Sequence, residues 1–141
     1  MSEISILLVE DNADDLFLTT RMIRKLPFGL KIETAKSGDD ALKRILANDF
    51  GTHELPSLIL LDLQLPKIDG IKCLTGIRQR YNEKELPVII LSSSDNRGDI
   101  DLCRELGING YLNKPLELNH LQLLLENIVH HRGDLLSPRL Q

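Results

Sequence analysis

The sequence has few of the residues that mark disulfide scaffolds, cysteine-rich metal sites or membrane proteins. Of its 141 residues two are cysteine, none is tryptophan and 4% are aromatic. Cys73 and Cys103 form neither a C-x-x-C pair nor a dense cysteine framework, and we expect both thiols to be reduced. No apolar run approaches the roughly 20 residues of a membrane span, and no basic segment opens a signal peptide. A cytoplasmic protein that does not enter the membrane is therefore expected.

The chain also has no excess of basic residues. The chain carries 17 Lys and Arg against 21 Asp and Glu, for a formal net charge of -4. Because binding to a phosphate backbone requires a basic face, nucleic acid is not an expected partner. No glycine-rich loop follows the first apolar run, which disfavours a nucleotide-binding domain, and the four histidines show no zinc-ligand spacing. A length of 141 residues with 42% hydrophobic content fits one globular domain.

Short apolar runs recur along the chain and predict strands. Three are continuous, as is typical of strands buried on both faces: Ile4 to Val9, Leu58 to Leu61 and Val88 to Leu91. Leu30 to Thr34 alternates apolar with polar residues and predicts a strand with one solvent-exposed side or a strand at the sheet edge. A last short strand is predicted at Gly110 to Asn113.

Helical patterns lie between and after these runs. In the first, Leu16, Thr20 and Ile23 recur at helical spacing behind Asn12, a candidate N-cap. The remaining helices are predicted around Ala41 to Leu46, and at Gly70 to about Tyr81, Asp95 to Leu106 and Leu118 to about His131. A β-α unit repeated five times predicts an α/β fold with a parallel sheet, helices on both faces and right-handed crossovers.

Polar residues stand where four of the apolar runs end. They are Glu10 with Asp11, Asp62, Ser92 and Lys114. Because the carboxyl ends of parallel strands share one edge of a sheet, we expect these side chains to meet in one pocket. Adjacent carboxylates repel one another, so a bound cation would keep them ionised, and magnesium fits because it prefers oxygen ligands.

Together these groups suit phosphoryl transfer. The Asp62 carboxylate can attack phosphorus, Lys114 and magnesium can neutralise the transferred group, and the Ser92 hydroxyl can donate a hydrogen bond to it. Taken singly, Asp62 could be only a turn former and Lys114 only part of an exposed turn. Their joint placement at strand ends favours chemistry.

Four segments resemble the receiver domain of two-component response regulators over about Glu3 to His130. They are Val9-Glu10-Asp11, Leu60 to Gly70, Pro87 to Ser93 and Gly107 to Pro115. The resemblance implies a flavodoxin-like (βα)5 sandwich with a five-stranded parallel sheet of order 2-1-3-4-5. It makes residues 1–132 a receiver domain and residues 133–141 a C-terminal tail.

The resemblance also assigns roles to particular residues. Asp62 resembles the phosphoacceptor, Ser92 the switch hydroxyl, Lys114 the phosphate-binding lysine and Tyr111 the aromatic switch that turns inward when the hydroxyl moves. The implied Mg²⁺ ligands are Glu10, Asp11, Asp62 and the backbone carbonyl of Gln64.

A narrower resemblance is to the stand-alone regulators paired with phytochrome-type histidine kinases. It rests on Glu10-Asp11-Asn12 with Asp15, on the long connection Asn48 to Pro56, and on the segments around Ser92 and Lys114. Such a protein accepts a phosphoryl group on Asp62 from a sensor histidine kinase. Since the receiver fold accounts for nearly all residues, we expect the signal to pass through changed protein contacts.

The last predicted helix has more apolar residues than one core-facing stripe requires. The surplus is either an exposed patch or a wider core stripe beneath the tail. A patch would favour a protein interface. We therefore predict a homodimer formed by the fourth and fifth helices and the last strand.

Two other functions remain alternatives. Phosphatases with an aspartyl nucleophile typically carry a second acid two positions after it, where this chain has Gln64, which cannot shuttle a proton at neutral pH. A receiver-like scaffold or adaptor that is never phosphorylated would not need the full set of Asp62, Ser92 and Lys114. The expected protein is thus a signalling receiver that catalyses only its own phosphoryl transfer and dephosphorylation.

Overall fold

The fold was determined as a computed structural model, which describes residues 4–47, 55–63, 67–92 and 97–132. In these ranges strands and helices alternate as predicted. Their bounds are β1 Ile4–Val9, α1 Ala13–Ile23, β2 Leu30–Ala35, α2 Gly38–Leu46, β3 Leu58–Asp62, α3 Lys67–Arg80, β4 Val88–Ser92, α4 Arg97–Leu106, β5 Gly110–Asn113 and α5 Leu118–Arg132.

The five strands form one parallel sheet of order β2-β1-β3-β4-β5. The predicted flavodoxin-like fold and strand order are therefore confirmed. β3 is the central strand, between β1 and β4. The chain leaves β1 toward β2 on one side and later returns to β3 on the other, so the strand order reverses between β1 and β3. Open α/β sheets bind ligands beyond the carboxyl ends of the strands at such a point.

The three middle strands are buried on both faces, as their continuous apolar runs predict. Leu60 and Ile89 point to a core shared with Ile23 of α1 and Leu121 of α5. Their neighbours point the other way, to a second core that includes Ile45 of α2, Leu74 of α3 and Cys103 of α4. Each fully buried Leu or Ile stabilises the fold by about 1.5 to 3 kcal/mol relative to an exposed one. This packing holds the strand ends in place.

The start of α1 is fixed by the predicted N-cap. The side chain of Asn12 accepts a hydrogen bond from the backbone N–H of Asp15 at 2.9 Å, which satisfies one of the free donors of the first turn. Ser37 caps α2 in the same way, accepting from Asp40 at 3.0 Å. Both helices therefore begin at a defined residue next to the carboxyl edge of the sheet.

Some bounds differ from the predictions. α3 begins at Lys67 rather than Gly70, because Gly70 is an interior helical residue packed close to Leu63 rather than a helix start. The predicted start of α4 at Asp95 lies outside the described residues. Cys73 and Cys103 are buried and are not joined in a disulfide, and burial raises the pKa of the Cys103 thiol to about 11. Among the described helices, none is long and apolar enough to cross a bilayer.

Candidate functional site

Four of the predicted site residues lie at the carboxyl edge of the sheet. Asp62 ends the central strand β3, with Glu10 following β1 on one side and Ser92 ending β4 on the other. The residues Glu10, Asp62 and Ser92 are at most 4% exposed. Lys114 follows β5, and its backbone N–H donates to the carbonyl of Ser92 at 2.8 Å. Sheet pairing alone thus brings residues from four chain segments to one place.

The ammonium of Lys114 is the centre of this cluster. It donates to Glu10 Oε1 at 2.8 Å, to Asp62 Oδ2 at 2.8 Å and to Asp15 Oδ2 at 3.1 Å. The side chains of Glu10 and Asp62 are 0% exposed, that of Lys114 is 12% exposed and that of Asp15 is 39% exposed. Charge-assisted hydrogen bonds of this length are roughly twice as strong as neutral ones, so the four side chains hold one another in position.

Burial and mutual contact shift the ionisation of the pocket. Burial, together with a side-chain hydrogen bond to Asp62, raises the pKa of Glu10 to about 7, against the opposing effect of Lys114. Burial alone would lower the pKa of Lys114, but its hydrogen bonds to Asp62, Glu10 and Asp15 outweigh that effect and raise the pKa above its ordinary value. Lys114 is therefore charged at neutral pH, and Glu10 exchanges its proton near neutrality.

Asp15 is the member of this cluster that sequence reasoning missed as a site residue. One carboxylate oxygen from each of Glu10, Asp15 and Asp62 lies within 4.8 Å of the others. The available signal was the N-cap at Asn12, which places residue 15 in the first turn of a helix that starts at the same sheet edge. Asp11, the predicted ligand, is exposed and lies outside this oxygen cluster.

The remaining predicted residues lie elsewhere. Gln64 is outside the described residues. Tyr111 lies on β5 with 37% of its surface exposed, and the guanidinium carbon of Arg104 sits 5.3 Å from the centre of its ring. At that distance a cation and an aromatic face attract each other. The tyrosine ring is thus held at the surface by α4.

The donor set suits a hard divalent cation. All three clustered groups offer carboxylate oxygens, the ligand type of Mg²⁺ and Mn²⁺, and the cluster has no histidine or thiolate that would favour zinc or copper. Glu10 and Asp62 are the predicted metal ligands within this cluster. The pocket therefore fits the magnesium ion that the sequence predicts.

The family model for the response regulator receiver domain matches residues 6–126. This chain belongs to the response regulator receiver domain family. The probable methanogenesis regulatory protein FilR2 of Methanothrix harundinacea is 36% identical over 123 residues, which are 87% of this chain and 79% of the relative. The response regulator Rcp1 of Synechocystis is 33% identical over 124 residues, covering 87% of this chain and 84% of Rcp1.

Solved receiver structures agree with the fold in detail. The phosphorylated cyanobacterial phytochrome response regulator RcpA is 31% identical, with a TM-score of 0.75 over 97% of this chain and 96% of RcpA. The Mn²⁺-bound form of Rcp1 is 32% identical, with a TM-score of 0.71 over 90% of this chain and 91% of that structure. The predicted resemblance to receivers, and among them to phytochrome response regulators, is confirmed.

A groove lies beside this receiver pocket. It has a volume of about 390 Å³ and runs between α1 and the connection from β5 to α5. Asp15 and Lys114 line it, together with the apolar residues Leu18, Met22, Pro115 and Leu116 and the basic residues Arg21 and Lys25. The groove therefore borders the pocket at the Asp15 carboxylate and the Lys114 ammonium.

Proposed function

We propose that this chain accepts a phosphoryl group on Asp62 from a sensor histidine kinase of the phytochrome class, in a magnesium-dependent reaction. The observation that carries the proposal is the Asp62 carboxylate, fully buried at the end of the central strand with the Lys114 ammonium 2.8 Å away. A buried carboxylate held by a lysine that itself lines a surface groove is a nucleophile suited to phosphoryl transfer.

In the proposed step, an Asp62 oxygen forms a bond to phosphorus while the bond from phosphorus to a histidine nitrogen breaks. The imidazole leaves with the electron pair of the broken bond. Lys114 neutralises a phosphoryl oxygen. Glu10, Asp11, Asp62 and the Gln64 carbonyl would hold a magnesium ion, which would supply further positive charge for the transferred group. The Ser92 hydroxyl, on the neighbouring strand, donates to another phosphoryl oxygen.

The signal then leaves the domain through protein contacts rather than chemistry. Movement of Ser92 toward the phosphoryl group frees space behind it, and Tyr111 turns from the surface toward the sheet. This motion changes the face formed by α4, β5 and α5, which carries Leu102, Tyr111 and Leu123 among its exposed residues. A changed apolar face alters which partner, including a second copy of the chain, can bind.

The phytochrome class of kinase is proposed from the similarity to RcpA and Rcp1. Its test is phosphotransfer from a phytochrome-type kinase labelled on its histidine, compared with an unrelated histidine kinase. Label should pass to the chain faster from the phytochrome-type kinase and should not pass to Asp62→Asn. Equal rates from both kinases would contradict the proposed partner.

The groove beside α1 is the proposed docking site of the kinase. Leu18 is 59% exposed on its wall, and Phe17 beside it is 60% exposed. Leu18→Glu should slow phosphoryl transfer from the kinase tenfold or more, which is the effect expected when a dominant residue of a protein interface is lost. The same variant should be phosphorylated by acetyl phosphate at the wild-type rate. Leu46→Glu is the matched control, because Leu46 is an exposed leucine of α2 on the other face of the sheet. Equal transfer rates for the two variants would refute docking at the groove.

A further inference from the structure

Lys114 has three acceptors for three N–H bonds. An ammonium donates three hydrogen bonds, and each of those of Lys114 goes to a different carboxylate, those of Glu10, Asp62 and Asp15. The third bond, to Asp15, is 3.1 Å long, whereas the other two are 2.8 Å. Asp15 therefore accepts the third hydrogen bond that the Lys114 ammonium can donate.

Asp15 differs from the other two acceptors in origin and exposure. Glu10 and Asp62 stand at strand ends and their side chains are 0% exposed, whereas the side chain of Asp15 is 39% exposed. Asp15 belongs to the first turn of α1, and its backbone N–H donates to the cap residue Asn12. It lines the groove together with Lys114, so it is the carboxylate of the cluster that reaches the surface.

These differences give Asp15 a separate task. A divalent cation held by Glu10 and Asp62 would compete with the Lys114 ammonium for their oxygens. Phosphorylation of Asp62 would likewise take one carboxylate oxygen away from the ammonium. A buried ammonium that loses its partners is costly, so without another acceptor it would turn away to water. Asp15 can continue to accept a hydrogen bond from one N–H of Lys114 while the other two N–H groups donate to the phosphoryl group.

We propose that Asp15 is a positioning residue, which holds the Lys114 ammonium at the mouth of the pocket when the buried carboxylates are engaged. The inference rests on the proposed phosphorylation of Asp62 and adds that Asp15 holds Lys114 in position for this reaction.

The direct test is the ¹⁵N–¹H resonance of the Lys114 ammonium at saturating Mg²⁺, assigned by its absence in Lys114→Arg. The wild-type protein should keep a hydrogen-bonded ammonium signal that exchanges slowly with water, and Asp15→Ala, which removes the acceptor oxygen, should lose it. Asp14→Ala is the matched control, because Asp14 is an exposed acid in the same helical turn and its replacement changes the net charge equally. A signal that persists in Asp15→Ala, or is absent from the wild type, overturns the inference.

The kinetic test is the rate of phosphorylation by acetyl phosphate at saturating Mg²⁺. Asp15→Ala should be slower by about tenfold or more, the cost of a misplaced catalytic group. Asp14→Ala should match the wild type, and Asp15→Glu should recover part of the loss by restoring the carboxylate. A rate for Asp15→Ala equal to or above that of Asp14→Ala contradicts the positioning role.

The two tests separate this inference from the proposed function. If the wild-type protein takes no phosphoryl group, the proposed function fails, and the ammonium resonance still decides whether Asp15 holds Lys114. If the wild type is phosphorylated and Asp15→Ala reacts equally fast, the function stands and the role of Asp15 fails.

Discussion

At the scale of single residues, Glu10 shows how burial sets the chemistry of the pocket. Its side chain is 0% exposed, and its two oxygens accept hydrogen bonds from Lys114 and from the backbone N–H of Asn12. Both partners favour the ionised form, yet burial and the contact with Asp62 outweigh them and raise the pKa to about 7. A proton and a divalent cation therefore compete for Glu10 near neutral pH.

This competition predicts a pH-dependent stability for the metal-free protein. The folded state keeps the Glu10 proton up to pH about 7, whereas the unfolded chain releases it near the ordinary value of 4.5. Between these values the folded state binds more protons, so the free energy of unfolding falls as pH rises. The contribution lost across the window is of the order of 3 kcal/mol, from 1.36 kcal/mol per pKa unit.

Glu10→Gln should remove this slope, because glutamine resembles the protonated acid and does not titrate. The measurement is urea unfolding of both proteins at pH values below 4.5 and above 7 in the absence of metal. Glu105→Gln, an exposed acid of α4, is the control and should keep the wild-type slope. Identical pH profiles for the wild type and Glu10→Gln would contradict the assigned ionisation.

At the scale of elements, Arg78 ties α3 to the edge of the sheet opposite the pocket. Its guanidinium donates to the carbonyls of Gly107 at 2.7 Å, Leu86 at 2.8 Å and Tyr81 at 3.1 Å. These carbonyls belong to the segments that precede β4 and β5, the strands that carry Ser92 and lead to Lys114. One side chain of α3 thereby fixes the start of two site-bearing strands.

Arg78→Ala should destabilise the fold by about 3 kcal/mol or more, since hydrogen bonds to charged groups contribute about 1.5 to 3 kcal/mol each and the carbonyls lose their donor. The free energy of unfolding in urea measures the effect. Lys72→Ala, an exposed cation of the same helix, should cost less than about 1 kcal/mol. A similar loss in both variants would show that Arg78 contributes only its charge.

The strands could be read from the sequence because a strand buried on both faces leaves a local signal, the continuous apolar run. The meeting of Glu10, Asp62 and Lys114 could be read because parallel topology brings strand ends together. Gly70 was misread as a helix start, since glycine is unfavourable inside helices, whereas here it is an interior residue of α3. Asp15 was missed because it lies in the first turn of α1 rather than at a strand end, so the strand-end pattern did not include it.

At the scale of the whole molecule, the proposed docking surface and the proposed output surface are separate. Asp15 and Lys114 of the pocket line the groove beside α1, whereas exposed apolar residues on α4, β5 and α5 form the face proposed to change with phosphorylation. Leu123 is the most exposed of these, at 60%. We predict that this face forms a homodimer with two-fold symmetry.

Leu123→Glu should weaken this dimer, because each copy would place a charge in the apolar contact. Sedimentation over a range of protein concentrations measures the association. Leu46→Glu carries the same change on α2, away from the face, and should associate like the wild type. A monomeric mass for the wild type at all concentrations, with and without phosphorylation, would rule the dimer out.

The central claim is that Asp62 accepts a phosphoryl group in a magnesium-dependent reaction. The most direct measurement is the intact mass of the protein after incubation with acetyl phosphate, with Mg²⁺ or with a chelator. The wild type should gain the mass of one phosphoryl group only with Mg²⁺, and Asp62→Asn should gain nothing in either condition. No mass gain in the wild type, or an equal gain in Asp62→Asn, would contradict the account.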